Sequence, residues 1–174
     1  MEAHCYFDSP LGLLKMIAVE DGISHIGIVA PPEKVETVLV ASAIERRHLE
    51  AAALWLEAYF GGRVLPKCPP LALQGTPFQK TVWQVLLTVP YGETVSYGAV
   101  ARKVAAFLGK KRMSPQAVGT ACGKNPVLFM VPCHRVVASD GSIGGYSAGI
   151  EKKRALLALE AATVIENPRI SISS

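Results

Sequence analysis

With 174 residues, half of them hydrophobic, 15 Gly and 12 Pro, the chain has the make-up of a turn-rich globular protein of one domain or two small ones, which excludes a disordered or fibrous polypeptide. No apolar run approaches the roughly 20 residues that span a bilayer, and Met1-Glu2-Ala3-His4-Cys5 lacks the charged-then-apolar plan of a secretion signal. A cytoplasmic protein is expected, nuclear if the source is eukaryotic. The formal charge of +4 is modest, and the four cysteines show no Cys-x-x-Cys spacing, which fits free thiols and argues against a metal.

The N-terminal part predicts a small α+β unit. Residues 13–19 and 23–29 are apolar and β-rich and meet at Asp21-Gly22, a hairpin signal, with Pro31-Pro32 closing the pair. A helical pattern covers 44–60, with Leu49, Ala52, Ala53, Leu56 and Phe60 on one side and Gly61-Gly62 as its stop. His4, His25 and His48 are isolated, and nothing in this half carries recognisable chemistry. Residues 61–75 are rich in Pro and Gly and read as a linker.

Thr76-Pro77 then has the cap and first-turn chemistry of a helix start. Phe78, Val82, Val85, Leu86 and Val89 form its apolar stripe, and Pro90-Tyr91-Gly92 ends it. Ser96 caps a second helix to residue 108, stopped by Gly109; Ser114-Pro115 opens a third through 122, stopped by Gly123 and Asn125-Pro126. Two short helices with a basic connection resemble a helix-turn-helix. Residues 94–139 contain no acid, although the chain has 14, and they hold Arg102, Lys103, Lys110, Lys111, Arg112, Lys124 and Arg135. A one-signed stretch suits a polyanion, the plainer alternative being solvated surface. The third helix offers only small or uncharged residues (Gln116, Ala117, Gly119, Thr120, Ala121, Gly123). They suit close entry into a groove or tight packing on another helix, and the basic connection favours the groove. A last amphipathic helix begins at Ile150 and is expected to end at Glu160, and the short tail after Val164 is assigned no role.

Residues 131–137, Val-Pro-Cys-His-Arg-Val-Val, say more than the rest. Pro132 lacks an N–H and tends to stop a strand. Cys133 then stands on stiff backbone beside His134 and Arg135, a positive setting that lowers a thiol pKa and makes a nucleophile; the alternative is a buried structural cysteine. In an extended segment Cys133 and His134 would point to opposite faces, so a direct pair needs a local turn or a bridging water.

Pro132-Cys133-His134-Arg135 does not stand alone. In order along the chain it is accompanied by Thr76-Pro77-Phe78-Gln79, Trp83, Tyr91-Gly92-Glu93-Thr94-Val95-Ser96-Tyr97, Ala117-Val118-Gly119, Asn125-Pro126, Gly144-Gly145-Tyr146-Ser147 and Leu156-Leu157-Ala158-Leu159-Glu160. Over about half of its length the chain thus resembles the O6-alkylguanine-DNA alkyltransferases. The resemblance implies an α+β protein: a small ribonuclease-H-like α/β scaffold domain (1–70), then a mostly helical domain of winged helix-turn-helix type (71–174) that binds DNA and transfers the alkyl group. It implies a monomeric methyltransferase of direct-reversal DNA repair. The protein would enter the minor groove, flip O6-alkylguanine (with O4-alkylthymine as a second lesion) out of duplex DNA, and move its alkyl group irreversibly to Cys133, once per molecule and without a cofactor. Some relatives carry zinc in the N-terminal part, but only Cys5 stands at a suitable position here, so no metal is expected. The alternative is an alkyltransferase-like protein that binds lesions without transfer; such relatives replace the cysteine, which is present here.

The resemblance makes His134 a base that reaches the sulfur through water and Glu160 the acid that orients it. Asn125 is expected to fix the turn beside the site, and Tyr97 to donate to a ring nitrogen of the leaving base. The base pocket is assigned to Ile143, Gly144, Tyr146, Ser147 and Ala148, with Lys153 in support. DNA contacts are assigned to Gln79, Gly98, Ala117, Gly119, Thr120 and Ser139, while Arg135 either meets phosphate or holds the loop. Where the family has an arginine at the start of the recognition helix this chain has Gln116. The connection before it is longer than the family pattern, so either Gln116 or Arg112 takes the place of the flipped base.

Overall fold

A computed structural model describes residues 2–31 and 42–166; Pro32 and the tail from residue 167 onward lie outside them. The described residues fall into two compact units, one within Met1–Gln74 plus Pro126–Leu128, the other within Gly75–Asn125 plus Phe129–Ser174.

In the first unit, strands β1 (Ala3–Ser9), β2 (Gly12–Val19) and β3 (Gly22–Ile28) form an antiparallel meander in chain order. The pleat explains β2: Leu14, Met16 and Ala18 alternate inward and are buried, while Lys15 and Ile17 point the other way. The sequence does not announce β1, because Ala3 is its only buried residue and His4 and Asp8 interrupt any apolar run. Helix α1 (Ala43–Phe60) starts in a capping box, in which Ser42 accepts from the Glu45 N–H and the Glu45 carboxylate accepts from the Ser42 N–H. Its buried stripe includes Leu49, Ala52 and Leu56 as expected, but Trp55 and Tyr59, stacked 5.1 Å apart, replace the half-buried Ala53 and Phe60. The supposed linker is tied down. The Ile23 N–H donates to the Pro70 carbonyl and the Ala72 N–H to the Ile23 carbonyl, each at 2.8 Å. Residues Pro126–Leu128 bridge β3 at Ile26 in the same way.

The second unit holds helices α2 (Pro77–Leu86), α3 (Tyr97–Phe107), α4 (Pro115–Gly123) and α5 (Ile150–Glu166). Thr76, Ser96 and Ser114 cap the first three, each accepting a backbone N–H three residues on. These helices bury Val82, Leu86, Val100, Val104 and Val118 against one another, each such side chain contributing about 1.5–3 kcal/mol. The Trp83 indole donates to the Ala121 carbonyl at 2.9 Å and fixes α2 to α4. A two-residue parallel pair, β4 (Val95–Ser96) with β5 (Val136–Val137), is too short to read from sequence. It brings the start of α3 beside the segment that follows Cys133. Helix α5 does not stop at Glu160 as expected but runs to Glu166. Its anchor is Leu156, with Leu157 and Leu159 less buried, and Glu160 occupies a buried mid-helix position.

Candidate active site

Residues Cys133–Arg135 form a single 3-10 turn rather than a strand, which is the local turn that a Cys–His neighbourhood required. Three successive side chains are thereby turned into the interior. The Cys133 sulfur accepts a hydrogen bond from Asn125 Nδ2 at 3.0 Å, and the same amide donates to the Val131 carbonyl at 2.8 Å. Asn125 therefore ties the turn to the Cys133 sulfur. His134 Nε2 lies 2.9 Å from Glu160 Oε1. Arg135 grips the same carboxylate, Nη2 at 2.7 Å and Nε at 3.1 Å from both oxygens, while Nη1 donates to the Val89 carbonyl at 2.7 Å and the guanidinium lies over the Tyr91 ring.

This corrects one DNA-contact assignment. Arg135 is 6% exposed and committed to Glu160, so it holds the loop rather than meeting phosphate. Gln79 has a structural role: its side-chain oxygen accepts from the Thr76 N–H at 2.9 Å, closing a capping box on α2.

The electrostatics differ from the sequence expectation in an instructive way. Burial pushes the Cys133 thiol up to about 11, against the opposing pull of the Asn125 amide and the Lys153 ammonium. The side chains of the two neighbours expected to lower it do not. Arg135 is neutralised by Glu160, and burial drives His134 below its ordinary value despite the hydrogen bond to Glu160, leaving the imidazole neutral. Burial works against the Glu160 carboxylate too, but the hydrogen bonds from His134 and Arg135 more than offset it and hold the group at about 2. At rest the site is a thiol, a neutral imidazole and a carboxylate–guanidinium pair.

Cys133 opens into a cavity of about 450 Å³. One wall is a face of α4, with Gln116, Gly119, Thr120 and Gly123 at helical spacing; the other includes Tyr97, Gly145, Tyr146 and Ser147. Gly144 and Lys153 stand behind that wall. Gly144 has φ +71°, and a Cβ there would come within 3.0 Å of the Tyr97 ring and hydroxyl. The Lys153 ammonium donates to the Val136 and Gly145 carbonyls at 2.5 and 3.0 Å, pinning the loop to the segment after Cys133. Ile143, Ala148 and Ala117 are outside the lining. Gly98 and the exposed Ser139 are neighbours, a Cβ on the glycine lying 3.8 Å from the serine oxygen. Arg112 lines a separate cavity.

Cys122 was not anticipated. It faces the same cavity as Cys133, and burial pushes its thiol up to about 12. The three-residue step from Gly119 would have placed it on the cavity side of α4, had that helix been read for a lining face rather than an exposed one. Val89 and Tyr91 were also missed as partners of Arg135, because no local signal links residues so far apart in the chain.

A cysteine set in such a cavity on a helical domain defines a class, and known proteins place the chain within it. The family model for the DNA-binding domain of 6-O-methylguanine DNA methyltransferase matches residues 77–162. A curated methylated-DNA–protein-cysteine methyltransferase of Methanosarcina barkeri is 39% identical over 159 residues, covering 89% of this chain and 96% of that protein. The crystal structure of Mycobacterium tuberculosis O6-methylguanine methyltransferase superposes with a TM-score of 0.75 at 35% identity over 94% of each chain. A structure of the M. tuberculosis protein in complex with DNA gives 0.73 at 36% identity, covering 91% of this chain and 92% of that one. The chain belongs to the 6-O-methylguanine DNA methyltransferase family.

Proposed function

We propose that this protein repairs duplex DNA by direct reversal, taking the alkyl group of a flipped O6-alkylguanine onto Cys133 in a single irreversible step. The observation that carries this reading is a sulfur lining a cavity large enough to admit a base, hydrogen-bonded by Asn125 and backed by the buried His134–Glu160–Arg135 group.

The chemistry follows from that geometry. With burial holding the thiol up at about 11, the resting cysteine is protonated at pH 7, and attack requires that the proton be taken up by a base. If His134 donates its Nε2 hydrogen to Glu160, Nδ1 is the basic nitrogen. It takes the thiol proton, through water, and the fixed carboxylate stabilises the imidazolium that results. Sulfur then attacks the alkyl carbon, the carbon–O6 bond breaks, and its electron pair leaves on the guanine. The Tyr97 hydroxyl, now on the Gly145 carbonyl at 3.4 Å and kept protonated by burial, donates to the ring nitrogen where charge develops. The buried Tyr146 hydroxyl, which has no hydrogen-bond partner among the described residues, offers a further contact to the base edge. The product is a thioether, and no group in the cavity can cleave a carbon–sulfur bond.

Flipping leaves a gap in the duplex. Gln116 lines the Cys133 cavity and Arg112 does not, which supports Gln116 as the residue that takes the vacated place. Helices α3 and α4 with their basic connection support the helix-turn-helix reading of the second unit, and the β1–β3 meander followed by α1 supports a ribonuclease-H-like scaffold in the first. Counting lesions removed against protein supplied tests the function: one lesion per chain is expected, and continued removal beyond that ratio contradicts it.

A further inference from the structure

The second cavity, about 510 Å³, lies in the α3–α4 connection, away from Cys133. Arg102, Lys110, Lys111 and Arg112 line it over a floor of Ala105, Ala106 and Met113. Gly109, at φ +64°, reverses the chain after α3, and the Lys110 N–H closes the turn on the Ala105 carbonyl at 2.8 Å. All four cations are exposed, and among the described residues none is paired with a carboxylate. No acid occurs anywhere from residue 94 to 139 to neutralise them. Four positive charges around one concavity raise the local potential and favour an anion there.

We infer that this cleft is a phosphate-binding site that takes consecutive backbone phosphates of the DNA strand engaged by α4. This rests on the reading of the protein as acting on duplex DNA. The lining decides against a free nucleotide: it has no aromatic side chain to stack a base and no hydroxyl or amide to read one, so it recognises charge alone. Its position, immediately before the helix that walls the Cys133 cavity, lets bound phosphates set the register of α4 on the duplex.

The test compares the triple variant Lys110→Ala/Lys111→Ala/Arg112→Ala with a control that removes equal charge elsewhere, Arg46→Ala/Arg47→Ala/Lys67→Ala. Duplex affinity is measured against salt for each. The cleft variant is expected to bind about tenfold or more weakly, on alkylated and unmodified duplex alike. Its log–log salt slope is expected to be smaller by about 0.9 for each phosphate that the variant no longer neutralises. The control is expected to keep the wild-type slope. An unchanged slope in the cleft variant, or an equal weakening in the control, overturns the proposal. Calorimetric titration with inorganic pyrophosphate separates the sources of phosphate: weak binding that salt abolishes is expected, and tight, salt-resistant binding overturns the assignment to DNA. The mass of the Cys133 peptide in the same wild-type samples keeps the two readings apart, since an unalkylated cysteine beside the expected slope difference sinks alkyl transfer and leaves the cleft standing.

Discussion

Glu160 is the residue at which the fold and the proposed chemistry meet. Its carboxylate binds His134 and Arg135 at once in a buried site. Removing one partner of such a pair leaves an uncompensated buried charge, at a cost of about 3–5 kcal/mol. Glu160→Gln is expected to lower the unfolding free energy by that order in urea titration and to slow alkyl transfer in the fraction that folds. A variant with wild-type stability and rate would show that the carboxylate does neither. Nothing local promoted Glu160: taken alone it reads as a solvated acid at a helix end. Cys133 is the reverse case. Its neighbours in sequence mark it as reactive, but what sets its protonation comes from the fold: burial, opposed by the Asn125 amide and the Lys153 ammonium.

At the scale of elements, helix starts were legible and short strands were not. Thr76, Ser96 and Ser114 announce their helices because capping is local, a side chain bonding the backbone three residues away. The β4–β5 pair joins residues distant in the chain through only two ladder steps, which leaves no periodicity to detect. Helix α4 lies between these cases. Its extent was clear, but its small residues fitted two accounts, and only the cavity shows that Gln116, Gly119 and Thr120 share a face with the thiol. The same geometry separates Gln116 from Arg112. Gln116→Ala is expected to weaken binding of an O6-methylguanine duplex more than of its unmodified counterpart, by about 1 kcal/mol, because it acts on the flipped state. Arg112→Ala is expected to weaken both alike. Competition binding on the two duplexes reads the difference, and discrimination by Arg112 instead would reverse the assignment.

For the whole molecule, buried ionisable groups set a stability window. Glu160 sits at about 2 in the folded protein against an ordinary 4.5, so its contribution of about 3 kcal/mol is complete above 4.5 and lost as pH falls toward 2. His134, buried neutral and lowered from 6.5, adds to the loss below that pH, because the unfolded chain binds a proton the folded one resists. At the alkaline end the sign reverses. Cys133 is raised from 9.0 to about 11, so above 9.0 the unfolded chain gives up a proton that the folded chain keeps. Urea midpoints are therefore expected to be highest between about pH 6.5 and 9 and to fall on both sides, and a flat profile would contradict the buried network. The basic stretch was legible in the sequence as a polyanion surface; that it encloses a cleft was not, since the turn at Gly109 that shapes it is a matter of backbone geometry.

The central claim concerns the fate of one sulfur atom. After incubation with a duplex carrying O6-methylguanine, peptide mass spectrometry is expected to find a single methyl group per chain, on Cys133, with Cys5, Cys68 and Cys122 unmodified and the signal abolished in Cys133→Ser. Methyl on a different cysteine, or lesion removal at the wild-type pace by Cys133→Ser, would contradict the account.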